Sequence, residues 1–242
     1  KLQQWVDSED KKHLLILSGT EDQDTSLNEL SNIELIISNK IAKLLREGGK
    51  ENYLRFLHCL DFILDNESNI PSKYLNCKIY PDPYFYDWRD EKGTKIGIIS
   101  YKSLFLANET KLTDQLNKHL RKNGFSPKTI FVSSLKNINI HREIQNIVKK
   151  EGIRIIVTTT SFDSVVNRNH DDKKESQNLF EKIKLPVLQI LTSSISKNDW
   201  YGSKIGMNSL DLLMQVVIPE FDGRITTLPV AFKEVISTNK YL

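Results

Sequence analysis

From Lys95 onward the chain alternates short, continuously apolar runs with amphipathic ones, and that alternation leaves few folds open. "KIGIISY" (95–101), "KTIFVSS" (128–134), "IRIIVTTTS" (153–161) and "LPVLQIL" (185–191) read as buried strands. Between them "TKLTDQLNKHLRKNG" (110–124), "IHREIQNIVKKEG" (140–152) and "KESQNLFEKIK" (174–184) read as helices, the first two closed by Gly124 and Gly152. Strands with no polar face, joined through helices by short connections, predict a parallel sheet covered on both sides. The expected architecture is α/β, with a Rossmann-like or flavodoxin-like sheet unit over this half.

A different pattern precedes it. "KKHLLILSGT" holds one short apolar run, Leu14 to Leu17, which suits a buried strand or a single helical turn. Leu27, Leu30, Ile33, Ile37, Ile41 and Leu44 then recur at spacings of three and four, and Gly48-Gly49 ends that run. "KENYLRFLHCLDFILDN" repeats the period through Tyr53, Phe56, Leu57, Leu60 and Leu64. His58 and Cys59 lie inside it and read as structural residues rather than as ligands. The next stretch contains Pro71, Pro81 and Pro83, which block regular helix, and the aromatics Tyr80, Tyr84, Phe85, Tyr86 and Trp88. It is either a ring-binding surface or a linker packed on a domain face. The expected division is a helical part over 1–70, a Pro/aromatic linker over 71–94 and an α/β domain over 95–242.

Composition removes several functional classes. A net charge of +3 with interspersed signs offers no basic stripe for nucleic acid. Two cysteines without a CxxC spacing argue against a disulfide framework or a zinc site and fit a reducing cytoplasm. No run approaches the roughly 18 apolar residues of a membrane span, and no signal peptide opens the sequence. The first residue is Lys1 rather than Met, the expectation being a piece of something longer. The strand ends carry Ser100-Tyr101-Lys102, Ser133-Ser134, Thr158-Thr159-Thr160-Ser161 and Thr192-Ser193-Ser194. Ligands gather at such ends in open α/β sheets, so this rim is suited to carboxylates or amides; the hydroxyls equally suit helix capping. Neither GxGxxG nor GxxxxGK[ST] occurs, which excludes the usual phosphate cradles for a dinucleotide or ATP on this chain. A flavodoxin-like redox role fares no better, because "SYKSLFLANET" after the first strand has no glycine.

The densest chemistry lies near the carboxyl end, in "DLLMQVVIPEFDGRI" (211–225). Asn208 or Ser209 suits a helix cap with Asp211 in the first turn. Leu210, Leu213, Met214 and Val217 fall on one face, and Pro219 is expected to end the helix. Glu220, Asp222 and Arg224 follow at alternate positions and would share a side in an extended backbone. Arg224 can then bridge one carboxylate and leave the other for a proton or a cation, or the trio only pins a strand entrance by local ion pairs.

The stretch from Pro186 to Lys233 resembles the large subunit of aerobic cobaltochelatase, and that of the closely related magnesium chelatase. The matching positions are Pro186, Val187, Gln189, Trp200, Ser203, Gly206, Asp211, Met214, Pro219, Glu220, Asp222, Gly223, Arg224, Ile225, Phe232 and Lys233. Upstream, "LLREGGKENYLRFLHCLDFIL" resembles the family's helical run built around G-G-x-x-N, and "IIVTTTSF" resembles its later (N)-(A/T)-T-(A/S)-F run. Leu213 stands where the family has a small residue, and Leu228-Pro229 where the cobalt branch has an arginine and an alanine. Arg224, where the magnesium branch has glycine, favours the cobalt branch.

The resemblance implies an amino-terminal portion of a subunit that binds a tetrapyrrole and Co2+, with hydrogenobyrinic acid a,c-diamide as substrate on the route to cobalamin. It implies AAA+ ATPase and integrin-like small subunits as partners, with ATP and Mg2+ bound there, and the rest of the large subunit as a further partner. No tightly bound cofactor is expected on this chain. The family's His-Gly-Thr-His-Gly run is absent, and His13, His58, His119, His141 and His170 are too scattered to replace it. No catalytic residue and no metal ligand is therefore expected here. Glu220, Asp222, Arg224, Trp200 and Ser203 are the expected substrate-binding residues. A stand-alone α/β binding or interaction module is the rival reading.

Overall fold

The computed structural model describes residues 33–65, 69–170, 173–204 and 206–234; the apolar run at Leu14 to Leu17, and Leu27 and Leu30, lie outside them. The chain divides into two compact units. One runs up to Tyr80 and takes in Leu106–Asn108; the other comprises Pro81–Phe105 and the chain from Glu109.

In the first unit, α1 (Leu35–Glu47) and α2 (Lys50–Leu64) follow the three-and-four period of their apolar residues, and α3 (Ser72–Leu75) starts directly after Pro71. Their core gathers on Ile41, Leu44, Cys59 and Ile70. Burial pushes the Cys59 thiol up to about 11, so it stays a protonated core side chain. Gly48 and Gly49 take φ of 64° and 85° to reverse the chain between α1 and α2. A Cβ on Gly49 would meet the Tyr80 ring at 3.0 Å. Asn52 is wholly buried; its amide donates to the Gly48 and Lys78 carbonyls and accepts from the Lys78 N–H, each at 2.8 Å. The G-G-x-x-N pattern is thus a backbone reversal followed by a polar clamp on the segment around Lys78.

The second unit is built in chain order from β1 (Tyr84–Tyr86), β2 (Thr94–Tyr101), α4 (Lys102–Leu106), α5 (Lys111–Lys122), β3 (Phe125–Val132), α6 (Ile138–Glu151) and β4 (Ile155–Thr158). It continues with β5 (Val165–His170), β6 (Lys173–Asn178), α7 (Leu179–Ile183), β7 (Val187–Ser193), α8 (Lys197–Gly202), α9 (Ser209–Leu212), a π-turn (Leu213–Val217), α10 (Ile218–Phe221) and β8 (Ile225–Phe232). Six strands form one sheet in the order β1-β3-β2-β4-β7-β8. β2, β3, β4, β7 and β8 run parallel, and β1 pairs antiparallel with β3 at one edge. Renumbered along the chain, the parallel strands stand 2-1-3-4-5, the flavodoxin-like order.

Apolar strand residues are covered on both faces. Ile99, Ile130, Val132 and Ile156 pack with Ile140, Ile144 and Ile147 of α6 and with Leu179 and Phe180 of α7. Ile96, Ile98, Val157 and Ile190 pack with Leu116 and Leu120 of α5. Each fully buried aliphatic side chain here contributes about 1.5–3 kcal/mol.

Three elements depart from the sequence reading. Residues 84–86 form an edge strand rather than linker: Tyr84 stacks on Phe105 with centroids 4.2 Å apart, and Tyr86 meets Phe131 edge-on at 5.4 Å. β3 starts at Phe125, ahead of Pro127, because β1 pairs only with residues 129–131 and leaves that flank open. The first half of the helix expected over 174–184 is a strand. Lys173–Asn178 pairs antiparallel with Val165–His170, and helix begins only where the Asn178 side chain accepts from the Phe180 and Glu181 N–H groups.

Candidate functional site

Three sequence stretches that lie far apart converge on one guanidinium. Arg224 immediately precedes β8, and its side chain is wholly buried together with that of Asp222. Its Nη1 donates to the Thr160 carbonyl at 2.6 Å, the Thr160 hydroxyl at 3.3 Å and Gln189 Oε1 at 3.0 Å. Nη2 donates to the Phe162 carbonyl and to Asp222 Oδ2, both at 2.6 Å, and Nε donates to the same carboxylate oxygen at 2.9 Å. The Phe180 ring covers it, 5.0 Å from the guanidinium carbon to the centroid. The "TTTSF" strand end, the "PVLQ" strand and the "PEFDGR" turn therefore form a single hub.

Asp222 completes the hub from the other side. Its carboxylate accepts from the Ser164 N–H and hydroxyl at 3.1 and 2.9 Å and from the Asn178 amide at 2.8 Å. A buried pair is tolerable only when both partners are hydrogen-bonded to this degree. Mechanically, the hub ties the loop 160–164, which leaves the carboxyl end of β4, to the entrance of β8 and to the start of α7.

The helix leading into the hub is not what its apolar pattern suggests. Pro219 does not end it. Lacking an N–H, Pro219 sits inside the last turn, and the backbone widens to a π-turn over Leu213–Val217 just ahead of it. Nor is the leucine face the buried one: Leu210 and Leu213 are 66% and 47% exposed, whereas Asp211 and Gln215 are 6% and 8% exposed. Asp211 accepts from the Ser193 hydroxyl at 3.2 Å and the Ser194 N–H at 2.7 Å, and the Gln215 amide donates to Ser161 Oγ at 2.8 Å. Polar demand at the ends of β4 and β7 decides which side of the helix turns inward.

The expected site residues separate into three places. Asp222 and Arg224 are the hub. Glu220 lies in helical rather than extended backbone, so the three do not share a side; it is exposed and accepts from the Thr226 hydroxyl at 3.0 Å. Trp200 meets Phe232 edge-on at 5.9 Å, and Ser203 Oγ accepts from the Gly206 N–H at 3.2 Å. Phe232 closes β8, about 25 Å along the strand from Arg224. Arg224 has every nitrogen engaged within the protein, a geometry that suits bracing and leaves it no donor for a ligand carboxylate.

Two clefts flank the braced loop. One, of about 490 Å³, lies over the ends of β2, β3 and β4 and is lined by Tyr101, Ser103, Ser133, Lys136, Phe162 and Asp163. The other, of about 540 Å³, lies over the ends of β7 and β8 and is lined by Glu109, Ser194, Asp211, Gln215, Phe232 and Lys233, among others. Some rim hydroxyls bond one another, Ser100 with Thr159 at 2.9 Å and Thr158 with Thr160 at 2.8 Å, while those of Ser161, Ser193 and Ser194 bond Gln215, Asp211 and Asn208. Helix caps fall mainly to Asn137, Asn178 and Asn208, with Ser196 the hydroxyl among them. Asp211, Gln215 and Asn52 are polar residues that pattern reading placed on helices without a site role. The signal available was a polar residue every fourth position, 211 and 215, in an otherwise apolar helix. No group of three or more His, Cys, Asp or Glu side chains able to hold a metal occurs among the described residues, and no helix there is long and apolar enough to cross a membrane.

A doubly covered parallel sheet whose rim loop is locked by a buried guanidinium–carboxylate hub, joined to a small helical unit, defines the class: a flavodoxin-like α/β protein with a polar, ligand-sized rim. Known proteins narrow this further. The chain belongs to the CobN/Magnesium Chelatase family, whose model matches residues 42–241. It is 26% identical over 230 residues to the aerobic cobaltochelatase subunit CobN of Pseudomonas aeruginosa, covering 91% of this chain and 18% of that one. It is 28% identical over 225 residues to an uncharacterized protein of Methanocaldococcus jannaschii, covering 83% and 18%. The catalytic subunit of cobaltochelatase from Mycobacterium tuberculosis shares the fold, with a TM-score of 0.68 at 21% identity over 91% of this chain and 19% of that one. The chain thus spans about a fifth of the length of these relatives.

Proposed function

We propose that this chain is a portion of the tetrapyrrole-binding large subunit of an ATP-dependent metal chelatase, and that the subunit inserts cobalt into hydrogenobyrinic acid a,c-diamide in cobalamin biosynthesis. The observation that carries the reading is the family match over 42–241, whose motif residues Gln189, Asp222 and Arg224 are built into one buried hub. In this reading ATP is hydrolysed by AAA+ partners in the cytoplasm, working with an integrin-like small subunit. The cobalt ion is a substrate handled by groups elsewhere in the subunit, and this chain alone inserts no metal.

The part assigned to these residues follows from their geometry. Asp222 and Arg224 act as positioning residues: they hold the loop 160–164 so that Phe162 and Asp163 present a fixed wall to the rim. Glu220, Trp200 and Ser203, which are not locked into that hub, are the side chains left to meet a macrocycle or its substituents.

The test is a titration of the full-length polypeptide carrying this sequence with the a,c-diamide, followed by its visible absorbance, and then a cobalt-insertion assay with ATP and the partner subunits. Saturable binding with ATP-dependent cobalt incorporation is expected, and no incorporation by residues 1–242 alone. Absence of tetrapyrrole binding by the full polypeptide overturns the reading. Because the family description covers both metals, the same assay offers magnesium with a porphyrin; preference for that pair moves the chain to the magnesium branch.

A further inference from the structure

The cleft over the ends of β7 and β8 contains a feature that the hub does not share. Gln215 faces it from the π-turn, is 8% exposed, and has a side-chain amide that is only half used. Nε2 donates to Ser161 Oγ at 2.8 Å, while Oε1 is buried with no hydrogen-bond partner among the described residues. Turning the amide over lets Ser161 donate to Oε1 and leaves the NH2 unmatched instead. Either way one polar atom of this cleft-lining side chain lacks a partner among the described residues, a hydrogen bond left open to a group that enters.

The surroundings restrict what that is. The cleft is lined by three carboxylates, Glu109, Asp211 and Glu234, and one ammonium, Lys233, so its formal charge is 1 − 3 = −2. Asp211 is 6% exposed and already accepts from Ser193 and Ser194, and Glu234 accepts from the Lys197 N–H at 3.0 Å. A negative field repels an entering carboxylate. A group that both donates and accepts satisfies the Gln215 amide in either orientation, as a carboxylate does not. Thr192, Ser193 and Ser194 add hydroxyls at the wall, and Phe232 with Trp200 behind it gives an apolar flank. At about 540 Å³ the space takes a substituent and the edge of a ring, not a whole macrocycle.

We propose that this cleft is the specificity pocket for a neutral primary carboxamide on the periphery of the tetrapyrrole, read by Gln215 and guarded against the corresponding carboxylate by Asp211, Glu109 and Glu234. The proposal rests on the functional reading above and adds to it the chemical group that is selected and the residues that select it.

The experiment compares two probes, hydrogenobyrinic acid a,c-diamide and its unamidated acid, titrated separately into the full-length polypeptide and into its Gln215→Met and Gln215→Glu variants. The wild type is expected to prefer the diamide by about 3- to 10-fold, the range of one or two hydrogen bonds. Gln215→Met, which keeps the volume, should lower the ratio by weakening the diamide while leaving affinity for the acid unchanged; the share of the preference due to Asp211, Glu109 and Glu234 remains. Gln215→Glu tests the same pocket without loss of polarity and should weaken both ligands, the acid more. The ratio of two ligands on one variant is insensitive to a general structural defect. A diamide preference that Gln215→Met leaves undiminished overturns the proposal, as does a wild-type preference for the acid, with the functional reading intact. Binding of neither probe overturns the functional reading and this inference with it.

Discussion

Arg224 and Gln215 stand nine positions apart, both withdrawn from water, yet one is saturated and the other is not. The guanidinium makes six hydrogen bonds within the protein; the amide makes one and leaves an atom unmatched. Saturation marks a group whose work is internal: removing it leaves several partners orphaned. An open valence in a cleft lining marks a group that the fold positions without consuming. The two regions thus divide the rim into a part that is held and a part that holds something else, and substitution should tell them apart by stability.

The largest effect is expected at the hub. Arg224→Ala leaves the Asp222 carboxylate buried without its cation and strips donors from Thr160, Phe162 and Gln189. Breaking a buried pair from one side costs about 3–5 kcal/mol, read as a lower urea midpoint at unchanged slope. Replacing both partners, as Asp222→Asn with Arg224→Met, should cost less than the sum of the single changes, because neither charge is then stranded. A mild Arg224→Ala would show the hub is not saturated in the way its geometry indicates.

Next is the clamp in the helical unit. Asn52→Ala removes an amide that serves both Lys78 backbone groups and the Gly48 carbonyl. With the Lys78 N–H and carbonyl left without that partner, a loss of about 2–3 kcal/mol is expected. Asn52→Asp should be nearly as damaging, since a carboxylate cannot donate to the two carbonyls. Equal stability of Asn52→Asp and the parent would remove the clamp from the saturated class.

How far the sequence reached is visible in these same residues. Period and apolarity suffice for the strands that are buried on both faces, because a continuous apolar run there has no alternative, and they suffice for α1 and α2. They fail at β1 and at the β5–β6 hairpin, where pairing with a distant or polar partner overrides local preference. In the helix before Pro219 they mislead outright: the leucines point outward because Ser161, Ser193 and Ser194 require partners that only Asp211 and Gln215 supply. The residue types of the hub were legible in "PEFDGR", but not its closure, since Thr160, Phe162 and Gln189 arrive from strands that sequence order keeps apart. A buried backbone carbonyl has no letter in a sequence.

A smaller loss, present only in acid, is expected at His141. The ring is wholly buried in α6, with one nitrogen donating to the Leu135 carbonyl. Burial holds its pKa below the ordinary 6.5; the Leu135 and Ser164 backbone and the Asp222 charge oppose the shift, and the Lys182 charge adds to it. The folded protein therefore keeps the ring neutral at a pH where the unfolded chain has taken up a proton. Stability is unaffected well above 6.5 and falls as the pH drops through that value. Urea midpoints measured between pH 8 and pH 5, on the order of the range this titration spans, should decline more steeply for the parent than for His141→Phe. Parallel curves would show that His141 takes up its proton without unfolding.

The smallest effect is expected where the comparison is most exposed to failure. Gln215→Met deletes one hydrogen bond, to Ser161, and at the same time relieves a buried amide atom of having no partner. The first change destabilises by about 0.5–1.5 kcal/mol and the second offsets a desolvation penalty of similar size, so the net change should lie within about 1 kcal/mol of zero. That is several-fold less than at Arg224, although the two side chains are comparably withdrawn from water. If unfolding shows Gln215→Met to be as damaging as Arg224→Ala, then Gln215 is a structural member of the rim. The contrast between a held region and a holding one would then collapse to a difference in degree.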